Sequence, residues 1–236
     1  MCRDCERTTF GRRGFLALAG MAGIAALLPA PARASGAATH LSPDEALEKL
    51  TAGNARYVAD AEVCAAHLKE QRASVAGGQA PWASVLSCAD SRVPPELVFG
   101  GLGLGELFVM RNAGNLTDTD VLGTLEYGAD HLGVPLIVVM GHQRCGAVAA
   151  ACDVVKNGTT FPGSIGPMIA PIVSVARTTK DEPGDFVTNT IKASARHTAA
   201  ALPGRSEIVA GLVKAGKVKI VPAYYDLDSG KVEFLT

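Results

Sequence analysis

Pro135-Leu136-Ile137-Val138-Val139-Met140, running into Gly141-His142-Gln143-Arg144-Cys145-Gly146, is the stretch that decides the fold. Its first six residues are apolar at every position, so no face alternates with water. A strand of that kind has both faces covered, as parallel strands between helices do. Gly141 lets the chain turn, and a helix is expected from Gln143 to about Lys156, closed by Asn157-Gly158. Strand, turn and helix together argue for a βα unit, with His142 and Cys145 at the carboxyl end of the strand.

Upstream lies a second unit of the same form. Trp82 to Ser87 reads as a strand ending in Cys88-Ala89-Asp90-Ser91-Arg92, after which Pro94-Pro95 should take the chain out of regular structure. Glycines 100, 101, 103 and 105 mark a loop. Glu106–Met110 is a further short strand, ending in a polar loop Arg111-Asn112-Ala113-Gly114-Asn115, and a helix is expected from Thr119 to about His131. Downstream, helices are expected over Ile165–Arg177 (bent near Pro171), Phe186–Ala201 and Ser206–Lys214, with a break at Leu202-Pro203-Gly204. Val218–Tyr225 and Lys231–Leu235 flank Asp228-Ser229-Gly230, strong turn chemistry for a terminal hairpin. The expected class is α/β: a mainly parallel central β-sheet flanked by helices, with a C-terminal antiparallel edge hairpin.

The first 34 residues are read differently. Thr9-Phe10-Gly11-Arg12-Arg13-Gly14-Phe15-Leu16 precedes an apolar run to Leu28 and a small-residue stretch ending Ala32-Arg33-Ala34. This has the form of a signal peptide. The paired arginines resemble the twin-arginine export signal, so the twin-arginine machinery is an expected partner and the mature protein, starting near Ser35, is expected in the periplasm or outside the cell. Residues 35–236 are then expected to form one domain, with an N-terminal helical arm over about 42–75. Ser42-Pro43-Asp44-Glu45 is a capping box opening a helix to about Ala59, and a second short helix is expected over Ala61–Gln71.

Charge narrows the partners. The formal net charge is −1, but the leader holds five of the 22 basic and two of the 23 acidic residues, leaving the remainder near −4. No basic excess is available for phosphates, so nucleic acid is not an expected partner. Nor is stable membrane insertion expected once the leader is removed, its apolar run being short of the roughly 20 residues that span a bilayer.

Four cysteines follow the leader: Cys64, Cys88, Cys145 and Cys152. In an open parallel sheet, functional groups gather beyond the carboxyl ends of the strands. Cys88 and His142 both sit there, so the 54 residues between them are no obstacle to a shared site. Cys88, His142 and Cys145 then make a soft three-ligand set suited to zinc, one ion per chain. Asp90 has two readings. It can be a fourth ligand that closes the site, or it can be held by Arg92 so that the fourth position stays free for water. A free position gives hydroxide near neutral pH. No His-Glu-x-x-His or Gly-x-Ser-x-Gly pattern supports a peptidase or serine esterase. His40, His67, His131, His197, Glu106 and Tyr127 are expected to be packed or surface groups.

Cys88 to Leu97 resembles the first signature of the beta-class carbonic anhydrases, and Gly141 to Val148 resembles the second; Glu106–Asn115 and Lys219–Leu235 are also similar to segments of that family. The resemblance implies zinc on Cys88, His142 and Cys145. It also implies an Asp90–Arg92 dyad that orients zinc-bound hydroxide or, when broken, lets Asp90 close the site. The implied reaction is the reversible hydration of carbon dioxide to bicarbonate and a proton. The implied assembly is a homodimer, or a tetramer of two dimers, in which the amino-terminal helix reaches across to the partner. Carbonyl sulfide or carbon disulfide hydrolysis, and a zinc-stapled scaffold without turnover, are the competing functions.

Overall fold

The computed structural model describes residues 39–61 and 68–235, all of which fall in one compact unit, Ala34–Thr236. The leader, Cys64 and His67 lie outside the described residues.

The chain enters helix α1 (Pro43–Ala59) through the expected capping box: Ser42 Oγ accepts from the Glu45 N–H, and Glu45 accepts from the Ser42 N–H at 2.7 Å. Helix α2 (Leu68–Val75) lies C-terminal to the start expected for the second helix. Strand β1 (Ala83–Cys88) is followed by α3 (Pro95–Val98), so the proline pair opens a single helical turn rather than abolishing one. Pro95 occupies N1, where a missing N–H costs nothing. Strand β2 (Leu107–Asn112) extends two residues beyond the expected end, because its ladder with β1 continues to the pair Cys88–Asn112.

Helix α4 (Thr119–Glu126), capped by Asp118, passes into a π turn over Tyr127–His131, which closes the expected helix at its predicted end. Then come β3 (Leu136–His142), α5 (Gly146–Asn157), α6 (Ile165–Thr179), α7 (Phe186–Arg205), α8 (Glu207–Lys214), β4 (Lys219–Tyr225) and β5 (Val232–Phe234). Two boundaries differ from expectation. Helix α7 runs through Leu202-Pro203-Gly204: Leu202 is fully buried, and its carbonyl still accepts from Ser206 N–H at 3.1 Å. A proline so near the helix end forfeits only one hydrogen bond, which the burial of Leu202 outweighs. Helix α5 starts at Gly146, not Gln143, because Arg144 has a left-handed φ of 55° and Cys145 is an extended N-cap.

The sheet has the order β2-β1-β3-β4-β5, with every pair parallel except β4–β5. The unbroken apolar run of β3 is explained by burial on both faces. Leu136, Val138 and Met140 join Ala46 and Leu50 of α1 and Phe99 in one core. Ile137 and Val139 face the other way, toward Leu125, Ala199, Leu202 and Val209. Helix α1 thus seats Ala46 and Leu50 on its own sheet, while Ala55 and Val58 stay exposed.

Strands β1 and β3 are neighbours, yet the chain leaves β1 toward β2 on one side and leaves β3 toward β4 on the other. That divergence is a topological switch point, and the crevice it opens lies at the carboxyl ends of the two strands.

Candidate metal centre

Cys88 is the last residue of β1 and His142 the last of β3. Cys145 caps α5, one sharp turn beyond His142. The left-handed Arg144 folds that turn back, so residues three apart can face the same point. The three ligand atoms all lie within 4.8 Å of one another, and all three residues are buried. The two sulfurs are 3.9 Å apart, close to the roughly 3.8 Å edge of a tetrahedron with 2.3 Å metal–sulfur bonds.

His142 supplies the test of fit. Its Nδ1 is tied to the Gln143 carbonyl at 2.9 Å, while Nε2 is buried with no hydrogen-bond partner. A buried polar atom left unpaired costs about 1–3 kcal/mol, and its position beside two thiols fits a donor set for a cation. A backbone carbonyl on the other ring nitrogen is the usual way a metal-binding tautomer is fixed.

The thiols behave as a pair. Cys88 is held well below the ordinary thiol range, chiefly by the hydrogen bond from Cys145 and also by Gly114 N–H at 3.5 Å. Cys145 is pushed up, because it keeps the shared proton and is buried. Were Cys88 and Cys145 to hold a cation, neither would need to keep that proton. Cys152 takes no part: it is a buried free thiol 3.4 Å from Thr190 Oγ1.

Asp90 is bound to Arg92. Arg92 donates to both of its oxygens, Nε to Oδ1 at 2.9 Å and Nη2 to Oδ2 at 2.7 Å, and the Arg92 N–H adds a third bond at 3.0 Å. Those bonds hold its carboxyl well below the usual carboxylate range. Its Oδ2 still lies 3.9 Å from His142 Nε2, so the carboxylate faces the centre while bound to the arginine. Of the two arrangements open at the level of sequence, this is the one with Asp90 on Arg92.

Several contributors were not anticipated. Arg111, expected in a loop, is still in β2 and donates to the carbonyls of Cys88 at 2.9 Å and Asp90 at 2.5 Å, fixing the first motif. Gln143 and Arg144 both reach Asp228 in the β4–β5 turn. A sequence shows the turn but not which loop it touches. The remaining candidates are structural: Glu106 binds Lys49, Trp82 and the Gly103 N–H, and Tyr127 makes tilted ring contacts with Phe108 and His131. His40 and His197 are exposed.

Residues 83–232 match the protein family described as carbonic anhydrase. Carbonic anhydrase 2 of Mycobacterium tuberculosis is 38% identical over 196 residues, covering 80% of this chain and 91% of that protein. Among solved structures, the beta-carbonic anhydrase of Coccomyxa superposes with a TM-score of 0.64 at 29% identity, covering 80% of this chain and 86% of that one. A tetrameric beta-carbonic anhydrase of Sordaria macrospora shares the fold, with a TM-score of 0.63 at 24% identity over 72% of this chain and 88% of that one. Sequence, fold and the converging Cys-His-Cys group agree, and the chain belongs to the beta-class carbonic anhydrase family.

Proposed function

We propose that this protein is a zinc-dependent carbonic anhydrase, interconverting carbon dioxide and water with bicarbonate and a proton. The observation that carries the reading is the unpartnered, buried Nε2 of His142 beside two thiols, with Asp90 turned toward it and held by Arg92. Cys88, His142 and Cys145 would hold the ion. Zinc supplies Lewis acidity that brings the ionisation of water from about 15.7 toward neutrality.

The chain's own residues do the rest. Asp90, kept ionised by Arg92, is an acceptor only, so it would accept a hydrogen bond from the reacting water or hydroxide and orient that oxygen's lone pair toward carbon. The bidentate arginine keeps that carboxylate from becoming a ligand. Arg111 fixes the backbone on either side of Ala89, which sets where Asp90 stands. Two thiolates donate more charge to the ion than imidazoles would, so activity is expected to be greater above neutral pH.

Stopped-flow measurement of carbon dioxide hydration at pH 6.5 and 8.5, on the mature protein with one zinc per chain, tests this. Catalysis rising toward pH 8.5 is the expected result. No catalysis at either pH overturns the reading.

The twin-arginine segment supports export through that machinery and a periplasmic or secreted location, the leader being removed near Ala34. A homodimer, pairing further into a tetramer, is the assembly we propose. It is supported by α2, which buries none of its residues within this chain, by Leu68, Leu97 and Leu104 exposed at 48%, 42% and 45%, and by the tetrameric state of the Sordaria proteins.

A further inference from the structure

The two residues between His142 and Cys145 are both tied to the β4–β5 turn. The Gln143 N–H continues the ladder by donating to Tyr225 O at 2.8 Å, and its side-chain oxygen accepts from Leu227 N–H at 3.0 Å. Gln143 Nε2 donates to Asp228 Oδ2 at 3.0 Å. Arg144 forks onto the same carboxylate, Nη1 to Oδ2 at 2.9 Å and Nη2 to Oδ1 at 2.7 Å. Asp228 thus receives three hydrogen bonds, all from the segment that links two ligands.

The segment needs restraint. Arg144 is one of two described non-glycine residues with positive φ, at 55°, a region L-residues populate sparsely. That conformation is what turns Cys145 back toward His142. The turn on which Asp228 stands is itself firm: Asp226 Oδ1 accepts from Ser229 N–H and Oγ at 2.8 and 2.7 Å. Asn54 of α1, 6% exposed, bonds Gly230 O and Val232 N–H at 2.8 Å each.

We propose that Asp228 is a positioning residue for the metal loop, holding Arg144 in its left-handed conformation so that His142 and Cys145 converge on one ion. The proposal rests on the reading of Cys88, His142 and Cys145 as a metal centre. Asp228 and Arg144 are 64% and 54% exposed in their side chains, and exposed ion pairs add little to global stability. The clamp's effect therefore falls on the geometry of the loop rather than on the fold. This separates it from an ordinary surface pair.

Zinc affinity by competition with a chromophoric chelator, and the visible spectrum of the cobalt(II)-substituted protein, are the readouts. Asp228→Ala is expected to bind zinc about tenfold more weakly and to shift the cobalt bands, with the melting temperature of the metal-free protein unchanged. Asp228→Asn, which keeps an acceptor, should lose less. Adding Arg144→Gly to Asp228→Ala should restore affinity, because glycine adopts positive φ without a tether. Glu233→Ala, which removes a comparable ion pair with Lys192 on β5, should leave zinc affinity and spectrum unchanged. Zinc affinity and cobalt spectrum of Asp228→Ala indistinguishable from wild type overturn the proposal, as does an equal loss in Glu233→Ala. Neither readout needs turnover, so a wild-type protein that binds metal without hydrating carbon dioxide fails the activity and leaves the clamp measurable. A wild-type protein that binds no zinc overturns both.

Discussion

At the level of single residues, the site depends on what Arg92 does to Asp90. The three hydrogen bonds between them hold a carboxylate beside His142 ionised and turned onto the arginine. Arg92→Ala is expected to retain one zinc per chain, by elemental analysis, while hydration at pH 8.5 falls about 10–100-fold. Unchanged activity in that variant would contradict the gate. The sequence displayed the ligands and the dyad because each is contiguous with a strand end or repeated at short spacing. It did not display Arg111 or Asp228, whose partners lie 23 and 84 residues away in the chain. Nothing in an Arg-Asn or Leu-Asp-Ser string says which carbonyl or guanidinium it will meet.

Helices and strands were legible where burial is periodic or complete, as along β3 and the capped start of α1. They were less legible where a single residue's conformation decides, as at Arg144, or where tertiary burial overrides a proline, as at Leu202 beside Pro203. The close seat of α1 was also hidden. A Cβ on Gly53 would stand 2.1 Å from Phe99 O, a backbone atom that cannot yield cheaply. Gly53→Ala should cost about 3 kcal/mol in urea unfolding, whereas Gly211→Ala, on an open face of α8, should stabilise by about 0.5–1 kcal/mol. Equal effects at the two positions would mean that α1 does not pack as described. Asn54→Ala strips partners from Val98 O, Gly230 O and Val232 N–H at once and should cost about 2–4 kcal/mol. A loss under about 0.5 kcal/mol would show that the hairpin does not depend on α1.

Over the whole molecule, acid should be the weak side. Asp185 is lowered by Thr188 at the start of α7, and Asp226 by Ser229. Each has a folded-state pKa below its ordinary value of 3.8, so the unfolded chain binds more protons and the stabilisation is present above that value. Unfolding free energy should fall as pH drops through about 4 and below, measured on the metal-free protein to keep ligand release out of the curve. Stability rising as pH falls through that window would contradict the sign.

The sheet order brings all of this to one place. The switch in strand order between β1 and β3 sets two distant motifs side by side, and the β4–β5 turn braces the second of them. The most direct test is a crystal structure of the zinc-loaded protein at pH 8.5, with anomalous data at the zinc edge. The account predicts one zinc on Cys88 Sγ, His142 Nε2 and Cys145 Sγ, with Asp90 still forked to Arg92. Zinc elsewhere, or Asp90 bound to it at that pH, would contradict it.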